Sequence, residues 1–290
     1  MRSLKGLGVA MVTPFDKKKN VDFEALDKLT NHLIDNGVDY LVVQGTTGES
    51  VTLSNSEKKD VLDRILNVNN GRLPIVLGMG GNNTMALIET IKTTDFADID
   101  AILSVAPYYN KPTQEGMFQH FTAIADASPV PVILYNVPGR TSSNILPSTV
   151  LRLAKHKNIV AIKEASGSFD QFMEIIMNKP EGFLAISGDD GITQPFIAVG
   201  GDGVISVVGN AYPRIFSDMV HAALKDEMDR SRELHYKILP IIPLLFKEGN
   251  PAGVKEVLKK MGICDHYVRL PLVTVSEGLK KDLLAEAAKL

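Results

Sequence analysis

Eight short apolar runs, each followed by a longer stretch with helical character, limit most strongly what this chain can fold into. The runs are Gly6–Val12, Tyr40–Val43, Ile75–Leu77, Ala101–Val105, Val132–Tyr135, Ile159–Lys163, Leu184–Ser187 and Val204–Val207. Their hydrophobicity is continuous rather than alternating, which marks strands buried on both faces, the habit of parallel sheets. Successive runs begin about 20 to 35 residues apart, the size of one βα unit. Helix signals fall between them. Ser54-Asn55-Ser56-Glu57 reads as a capping box, Pro112 and Pro147 stand where first turns would begin, and Gly37 stands where a helix would end. Eight such units within about 225 residues predict an α/β chain closed as a (β/α)8 TIM barrel, with an open doubly wound sheet as the alternative.

The strand pattern stops after Asn210, and Tyr212–Leu290 reads as helix, broken near Gly249-Asn250-Pro251 and Arg269-Leu270-Pro271. The first of these helices would complete the barrel. The expected organisation is a barrel over residues 1–225 and a C-terminal helical extension over 226–290.

Composition narrows the partners. A chain of 290 residues, 44% hydrophobic and 22% charged, can bury a sizeable core and is not disordered. A net charge of −3 lacks the basic excess of a nucleic-acid binder. No apolar run approaches the roughly 18–20 residues of a membrane-spanning helix. Met1–Val12 faintly imitates a signal peptide, but Thr13-Pro14-Phe15-Asp16 ends it without a small-residue cleavage site, so it reads as a first strand. The single Cys264 excludes an internal disulfide and suits a reducing compartment, so a cytoplasmic location is expected.

In a barrel of this kind, functional groups belong at the carboxyl ends of the strands and in the loops that follow. Lys163 is the sharpest such feature, because it ends the apolar run Ile159-Val160-Ala161-Ile162, where a free ammonium is costly to bury. It could snorkel to solvent. Alternatively it is a Schiff-base lysine whose pKa an apolar barrel mouth would lower, exposing the lone pair that attacks a carbonyl carbon. Imine chemistry also needs proton transfer. Tyr135 at the neighbouring strand end could supply it, with Thr46 and Tyr109 as hydroxyl partners, although a core tyrosine and ordinary strand-end residues would look the same.

Gly45-Thr46-Thr47-Gly48-Glu49 brackets two hydroxyls with glycines, as a tight turn offering backbone N–H groups to a carboxylate would; a plain βα turn is the other reading. Arg140, in Pro138-Gly139-Arg140-Thr141, is a guanidinium on a stiff loop, suited to bidentate carboxylate binding unless it is a solvated surface arginine. There is no phosphate-binding Gly-Lys-Ser/Thr loop, no Gly-x-Ser-x-Gly elbow and no complete dinucleotide fingerprint, and the six histidines lack metal-ligand spacing. Lysine chemistry at Lys163 would need no cofactor.

Four segments carry a family resemblance: Gly45-Thr46-Thr47-Gly48-Glu49-Ser50, Pro107-Tyr108-Tyr109-Asn110, Tyr135-Asn136-Val137-Pro138-Gly139-Arg140-Thr141 and Ile162-Lys163-Glu164-Ala165. In this order, and together with Ser187-Gly188-Asp189-Asp190 and Gly203-Val204-Ile205-Ser206, they resemble the signatures of the 4-hydroxy-tetrahydrodipicolinate synthase family. The resemblance implies condensation of pyruvate with L-aspartate 4-semialdehyde, early in diaminopimelate and lysine synthesis. It implies an imine on Lys163, a proton relay of Tyr135, Thr46 and Tyr109, and a pyruvate pocket at Thr47, Gly188 and Ile205. Arg140 would bind the semialdehyde carboxylate. Tyr109 would be donated across a tight dimer interface, within a homotetramer built as a dimer of dimers.

Relatives such as N-acetylneuraminate lyase and keto-sugar-acid aldolases share the turn, the tyrosine and the lysine but generally lack an arginine at this place. A catalytically dead barrel kept as a binding module would be expected to have lost a relay residue. Lysine-inhibited members typically carry an acidic side chain at the position of Ala86 and often a histidine at Asn55 or Lys58. This chain keeps Ser50, Asn82 and Tyr108 but not those groups, so weak or absent lysine feedback is expected.

Overall fold

Eight parallel strands pair in chain order and close on themselves, β1 hydrogen-bonding both β2 and β8. They are β1 Gly6–Ala10, β2 Tyr40–Val43, β3 Ile75–Gly78, β4 Ala101–Val105, β5 Val132–Asn136, β6 Ile159–Glu164, β7 Leu184–Ser187 and β8 Gly203–Ser206. The structure, a computed structural model, describes residues 2–290. Helices alternate with the strands, as the spacing predicts, and the arrangement is the (β/α)8 TIM barrel rather than the open sheet. Among the described residues no helix is long and apolar enough to cross a membrane.

Successive residues of each strand serve two cores. Ala10, Val42, Val76, Leu103, Ile133, Ala161, Ile186 and Ile205 fill the barrel interior. Their neighbours Val9, Leu41, Leu77, Ile102, Leu134 and Ile162 pack outward against the helices. Double-sided burial is why these runs read as continuous apolar stretches.

Strand ends shift where a side chain takes over a backbone group. β1 stops at Ala10 rather than Val12, because the Val12 amide donates to Asn210 Oδ1 at 3.0 Å. β8 stops at Ser206, because the Val207 amide donates to Asp190 Oδ2 at 3.0 Å. β5 and β6 each run one residue further than expected, through the pair Asn136 and Glu164.

The capping box at Ser54 forms, with the Glu57 amide donating to Ser54 Oγ at 3.2 Å and the Ser54 amide to Glu57 Oε2 at 2.9 Å. Pro147 opens helix Pro147–Leu153, and Gly37 takes φ +83° just past helix Phe23–Asp35. Pro112 does not open its helix. Thr113 supplies the N-cap instead, its hydroxyl accepting from the Gly116 amide at 3.2 Å, so the helix spans Gln114–Ala127.

After helix Pro213–Leu224 come Met228–Ile238, Ile242–Phe246, Ala252–Lys260 and Glu277–Ala287. Their apolar faces share one core with β1 and β2, including Leu7, Val9, Leu41, Val254, Leu258 and Leu283. A buried ion pair reinforces that union. Lys255 Nζ donates to Glu49 Oε1 at 2.6 Å and to the Tyr267 carbonyl at 2.8 Å, with both charged side chains almost fully enclosed. The Arg269 amide donates to the other oxygen, Glu49 Oε2, at 2.9 Å. Breaking such a pair from one side typically costs about 3–5 kcal/mol, because the remaining charge is stranded.

Barrel closure between β1 and β8 has one point with no tolerance. Gly203 has φ +142°, and a Cβ there would stand 2.1 Å from the Gly6 carbonyl oxygen. Neither the backbone conformation nor the contact admits a side chain. Gly203→Ala is expected to lose more than about 3 kcal/mol of stability, read as the shift in a urea unfolding curve; a loss within experimental error would show that the seam can relax.

Candidate active site

At the carboxyl ends of the strands the barrel opens into a cavity of about 1150 Å³. Thr46, Thr47, Tyr135, Arg140, Lys163 and Gly188 all line it. Tyr109 and Ile205 do not. Ile205 is buried one layer down in the barrel interior, and Val207 lines the cavity on that side. Tyr109 stands 88% exposed.

Lys163 reaches the cavity because of strand alternation. Ala161 points into the barrel, so Lys163 does as well, while Glu164 points out. Tyr135 is its direct register partner on β5, and the Lys163 ammonium lies 4.3 Å from the Tyr135 ring centroid. Both side chains are buried.

A polar network on the other face of the same two strands holds this pairing. Asn136 Nδ2 donates to Glu164 Oε1 and Oε2 at 3.2 and 3.1 Å, the Ser166 amide donates to Oε1 at 2.6 Å, and Gln171 Nε2 donates to Oε2 at 3.1 Å. The Ile145 amide donates to Asn136 Oδ1 at 3.0 Å. Burial raises the Glu164 pKa, and these donors counter part of that rise.

Gly188 leaves the space that the lysine occupies. A Cβ on it would lie 2.7 Å from Ala165 Cβ and 3.0 Å from Lys163 Cε.

Thr46, Thr47 and Gly48 form one 3-10 turn, closed by the Gly48 amide to the Gly45 carbonyl at 3.1 Å and the Glu49 amide to the Thr46 carbonyl at 3.1 Å. Those two bonds consume the later amides and leave the Thr46 and Thr47 amides outside the turn's own ladder. The left-handed residues here are Gln44, φ +60°, and Glu49, φ +51°, rather than the bracketing glycines. Gly45 has φ −72° and ψ −174°, an ordinary extended conformation, so the tight-turn role expected of it falls to its neighbours. Gly48 is there for clearance: a Cβ would come 3.2 Å from the Met11 carbonyl oxygen.

Arg140 lies on a single helical turn, Pro138–Thr141, at the exposed rim of the cavity. Thr141 fixes that turn by donating to the Ser143 carbonyl at 2.8 Å, and Ser143 Oγ donates to the Pro107 carbonyl at 2.5 Å, tying it to the loop that carries Tyr109. The other arginines pair with carboxylates or, for Arg214, donate to the Asp35 carbonyl; Arg140 does neither among the described residues.

Tyr109 has φ +72°, uncommon for a bulky residue. Its loop is braced by Asn82 Nδ2 donating to the Tyr108 carbonyl at 3.0 Å and Asn110 Nδ2 donating to the Asn82 carbonyl at 3.1 Å.

Two residues of the site escape a reading of local sequence. Asn250 lines the cavity and donates from Nδ2 to Thr47 Oγ1 at 2.9 Å. In the sequence it signals only a helix break. Asp190, fully buried behind Asp189, accepts from the Val207 and Val208 amides at 3.0 and 3.3 Å and so shapes the β8 wall of the cavity. Burial pushes its pKa up to about 6. Among the described residues no three His, Cys, Asp or Glu side chains converge to hold a metal ion.

The fold is a (β/α)8 barrel in which a buried lysine near the end of β6, a neighbouring tyrosine and the Thr46-Thr47 turn line one cavity, the arrangement of a barrel enzyme. The model of the Dihydrodipicolinate synthetase family matches residues 3–289. A 4-hydroxy-tetrahydrodipicolinate synthase of Flavobacterium psychrophilum is 57% identical over 284 residues, covering 98% of this chain and 97% of its own. The crystal structure of a dihydrodipicolinate synthase from Bacillus anthracis superposes with a TM-score of 0.95 at 42% identity, covering 100% of this chain and 99% of its own. That of a chloride-inhibited dihydrodipicolinate synthase from Acinetobacter baumannii, complexed with pyruvate, gives a TM-score of 0.95 at 40% identity over 99% of this chain and 100% of its own. The chain belongs to the dihydrodipicolinate synthetase family. It is a Schiff-base-forming lyase, of a family that uses a covalent lysine imine with pyruvate and no external cofactor.

Gly188→Ala tests how closely the lysine is packed. The added methyl clashes with Ala165 Cβ and presses on Lys163 Cε, so the segment that carries the lysine must shift. Borohydride trapping of pyruvate is expected to fall by at least about tenfold, a change of 1.4 kcal/mol, with the fold retained by circular dichroism. Undiminished trapping would show that the lysine does not need this space.

Proposed function

We propose that the chain condenses pyruvate, held as an imine on Lys163, with L-aspartate 4-semialdehyde, in the cytoplasm and early in diaminopimelate and lysine synthesis. The observation that carries the proposal is the joint placement around one cavity of Lys163, Tyr135, the Thr46-Thr47 turn and Arg140, which pairs with no carboxylate among the described residues. The Acinetobacter baumannii relative bound to pyruvate supports the first substrate.

The Lys163 amine adds to the pyruvate C2 carbonyl, and the carbinolamine loses water with a proton delivered by Tyr135. The pyruvate carboxylate rests on the Thr46-Thr47 turn, held by the Thr47 hydroxyl and by the amides outside the turn's own ladder. Gly188 gives the imine clearance, and Ile205 packs beneath the pocket floor. Tyr135, deprotonated by that delivery, takes a proton from the pyruvate methyl to give an enamine, whose carbon attacks the aldehyde of the second substrate while the aldehyde oxygen takes the proton back from Tyr135. Arg140 at the rim holds that substrate's carboxylate in a bidentate grip.

Tyr109 belongs to the relay of a second subunit. Exposure of 88% on a braced loop suits a side chain donated to a partner, so Tyr135, Thr46 and the partner's Tyr109 complete the relay in a tight dimer. Two such dimers form the tetramer. The barrel, residues 1–225, holds the chemistry, and residues 226–290 are an extension that supports it.

Ala86, Asn55 and Lys58 line the outer part of the same cavity. With alanine where an acid would face an incoming ammonium, and Lys58 adding a like charge, lysine is a weak inhibitor or none.

Three measurements test this reading. The first compares L-aspartate 4-semialdehyde with N-acetylmannosamine as acceptor for pyruvate: turnover with the semialdehyde alone is expected, and turnover with the amino sugar alone would identify a sugar-acid lyase. In the second, Arg140→Ala should reduce kcat/KM for the semialdehyde by about 10²-fold or more, from loss of a charged bidentate contact, while pyruvate trapping is retained; equal loss of both would remove Arg140 from acceptor binding. In the third, half-maximal inhibition by submillimolar lysine would defeat the feedback prediction, which expects little effect there.

A further inference from the structure

Thr47 meets the helical extension directly. Its hydroxyl oxygen, on a side chain 3% exposed, accepts a hydrogen bond from Asn250 Nδ2 at 2.9 Å. Asn250 is itself buried, 6% exposed, and stands two residues before the first residue of helix Ala252–Lys260. That helix carries Lys255, whose enclosed ion pair with Glu49 anchors it to the residue following the Thr46-Thr47-Gly48 turn. The extension therefore grips the turn at two points, once through charge and once through the Thr47 hydroxyl.

The second contact has a chemical consequence. A hydroxyl has one hydrogen to give, and two lone pairs that can accept. With an amide N–H already occupying one lone pair, the Thr47 hydrogen remains available to point into the cavity, where an anion would take it. Were the Asn250 amide turned the other way, its oxygen would claim that hydrogen and turn the hydroxyl from donor to acceptor on the cavity side. Asn250 Oδ1 has no hydrogen-bond partner among the described residues.

We propose that Asn250 is a positioning residue that fixes the Thr47 hydroxyl as a hydrogen-bond donor toward the pyruvate carboxylate. The helical extension is thereby a working part of the carboxylate site as well as a packing element. The inference rests on the pyruvate reading of the cavity given above.

The test measures the pyruvate concentration that gives half-maximal borohydride-trapped adduct, by intact mass. The proteins are wild type, Asn250→Ala, Asn250→Asp, Thr47→Val and the double variant Asn250→Ala/Thr47→Val. Asn250→Ala and Thr47→Val are each expected to raise that concentration by about tenfold, the usual scale of one hydrogen bond to a charged group. The double variant should be no worse than Thr47→Val alone, because Asn250 acts through Thr47. Asn250→Asp should exceed Asn250→Ala, because its carboxylate takes the Thr47 hydrogen and repels the incoming anion.

Multiplying effects in the double variant, or an unchanged half-saturation in both Asn250 variants, would overturn the proposal. A merely structural role would lower the thermal midpoint without that coupling. Should Asn250→Ala fail to fold, the isosteric Asn250→Asp carries the decision: weakened pyruvate saturation at an unchanged midpoint supports the proposal, and unchanged saturation overturns it. Wild-type protein that traps no pyruvate at all would instead defeat the reading of the cavity on which the inference stands.

Discussion

The register of β5 against β6 decides which side chains meet inside the barrel and which outside it. Tyr135 faces Lys163 and Asn136 faces Glu164, so one residue of slip would break both pairs and set Tyr135 against Ile162 or Glu164. The two faces of this strand pair have opposite needs. Inside, a lysine and a tyrosine stand over an apolar barrel core with room around them. Outside, a buried carboxylate needs donors, and it gets them from Asn136, Gln171 and the Ser166 amide. Satisfying Glu164 on the outer face thus fixes the inner face, because neither strand can shift without stranding a buried charge.

A second buried charge joins the ends of the chain. Glu49, in a left-handed conformation just after the 3-10 turn, is neutralised by Lys255 from more than two hundred residues downstream. Burial alone would drive Lys255 toward its neutral form, and Glu49 opposes that. The extension and barrel also share an apolar core through Val9, Leu41, Val254 and Leu283. Packing sets the extension against the barrel, while the ion pair and the Asn250 contact set its exact register on the turn. In physical terms the turn is fixed from two sides, by β2 before it and by the extension around it, before any substrate arrives.

How much of this was legible in sequence follows from how local each signal is. Continuous apolar runs at βα spacing gave the barrel, because double-sided burial writes itself into every strand. The position of Lys163 at the end of an apolar run pointed into the cavity for the same reason: alternation along a strand is fixed by covalent geometry. Strand ends were less legible, since Val12 and Val207 leave the ladder for side-chain acceptors supplied by Asn210 and Asp190. Gln44 and Glu49, not Gly45, take the left-handed conformations at the turn, because positive φ in non-glycine residues is imposed by surroundings rather than composition. Ile205 lies below the cavity, and Val207, two residues on and just past the end of β8, lies on its wall. Asn250 and the Lys255–Glu49 pair were invisible, since each depends on a contact across some two hundred residues of chain that no local pattern encodes.

Lys163, set by the β5–β6 register, is proposed to carry pyruvate with its carboxylate on the Thr46-Thr47 turn. The crystal structure of the protein after treatment with pyruvate and borohydride tests this most directly. Continuous density is expected from Lys163 Nζ to the substrate C2, with the carboxylate against Thr47 and the methyl carbon open toward Arg140. Adduct on another lysine, or a carboxylate seated on Arg140 instead of the turn, would contradict it.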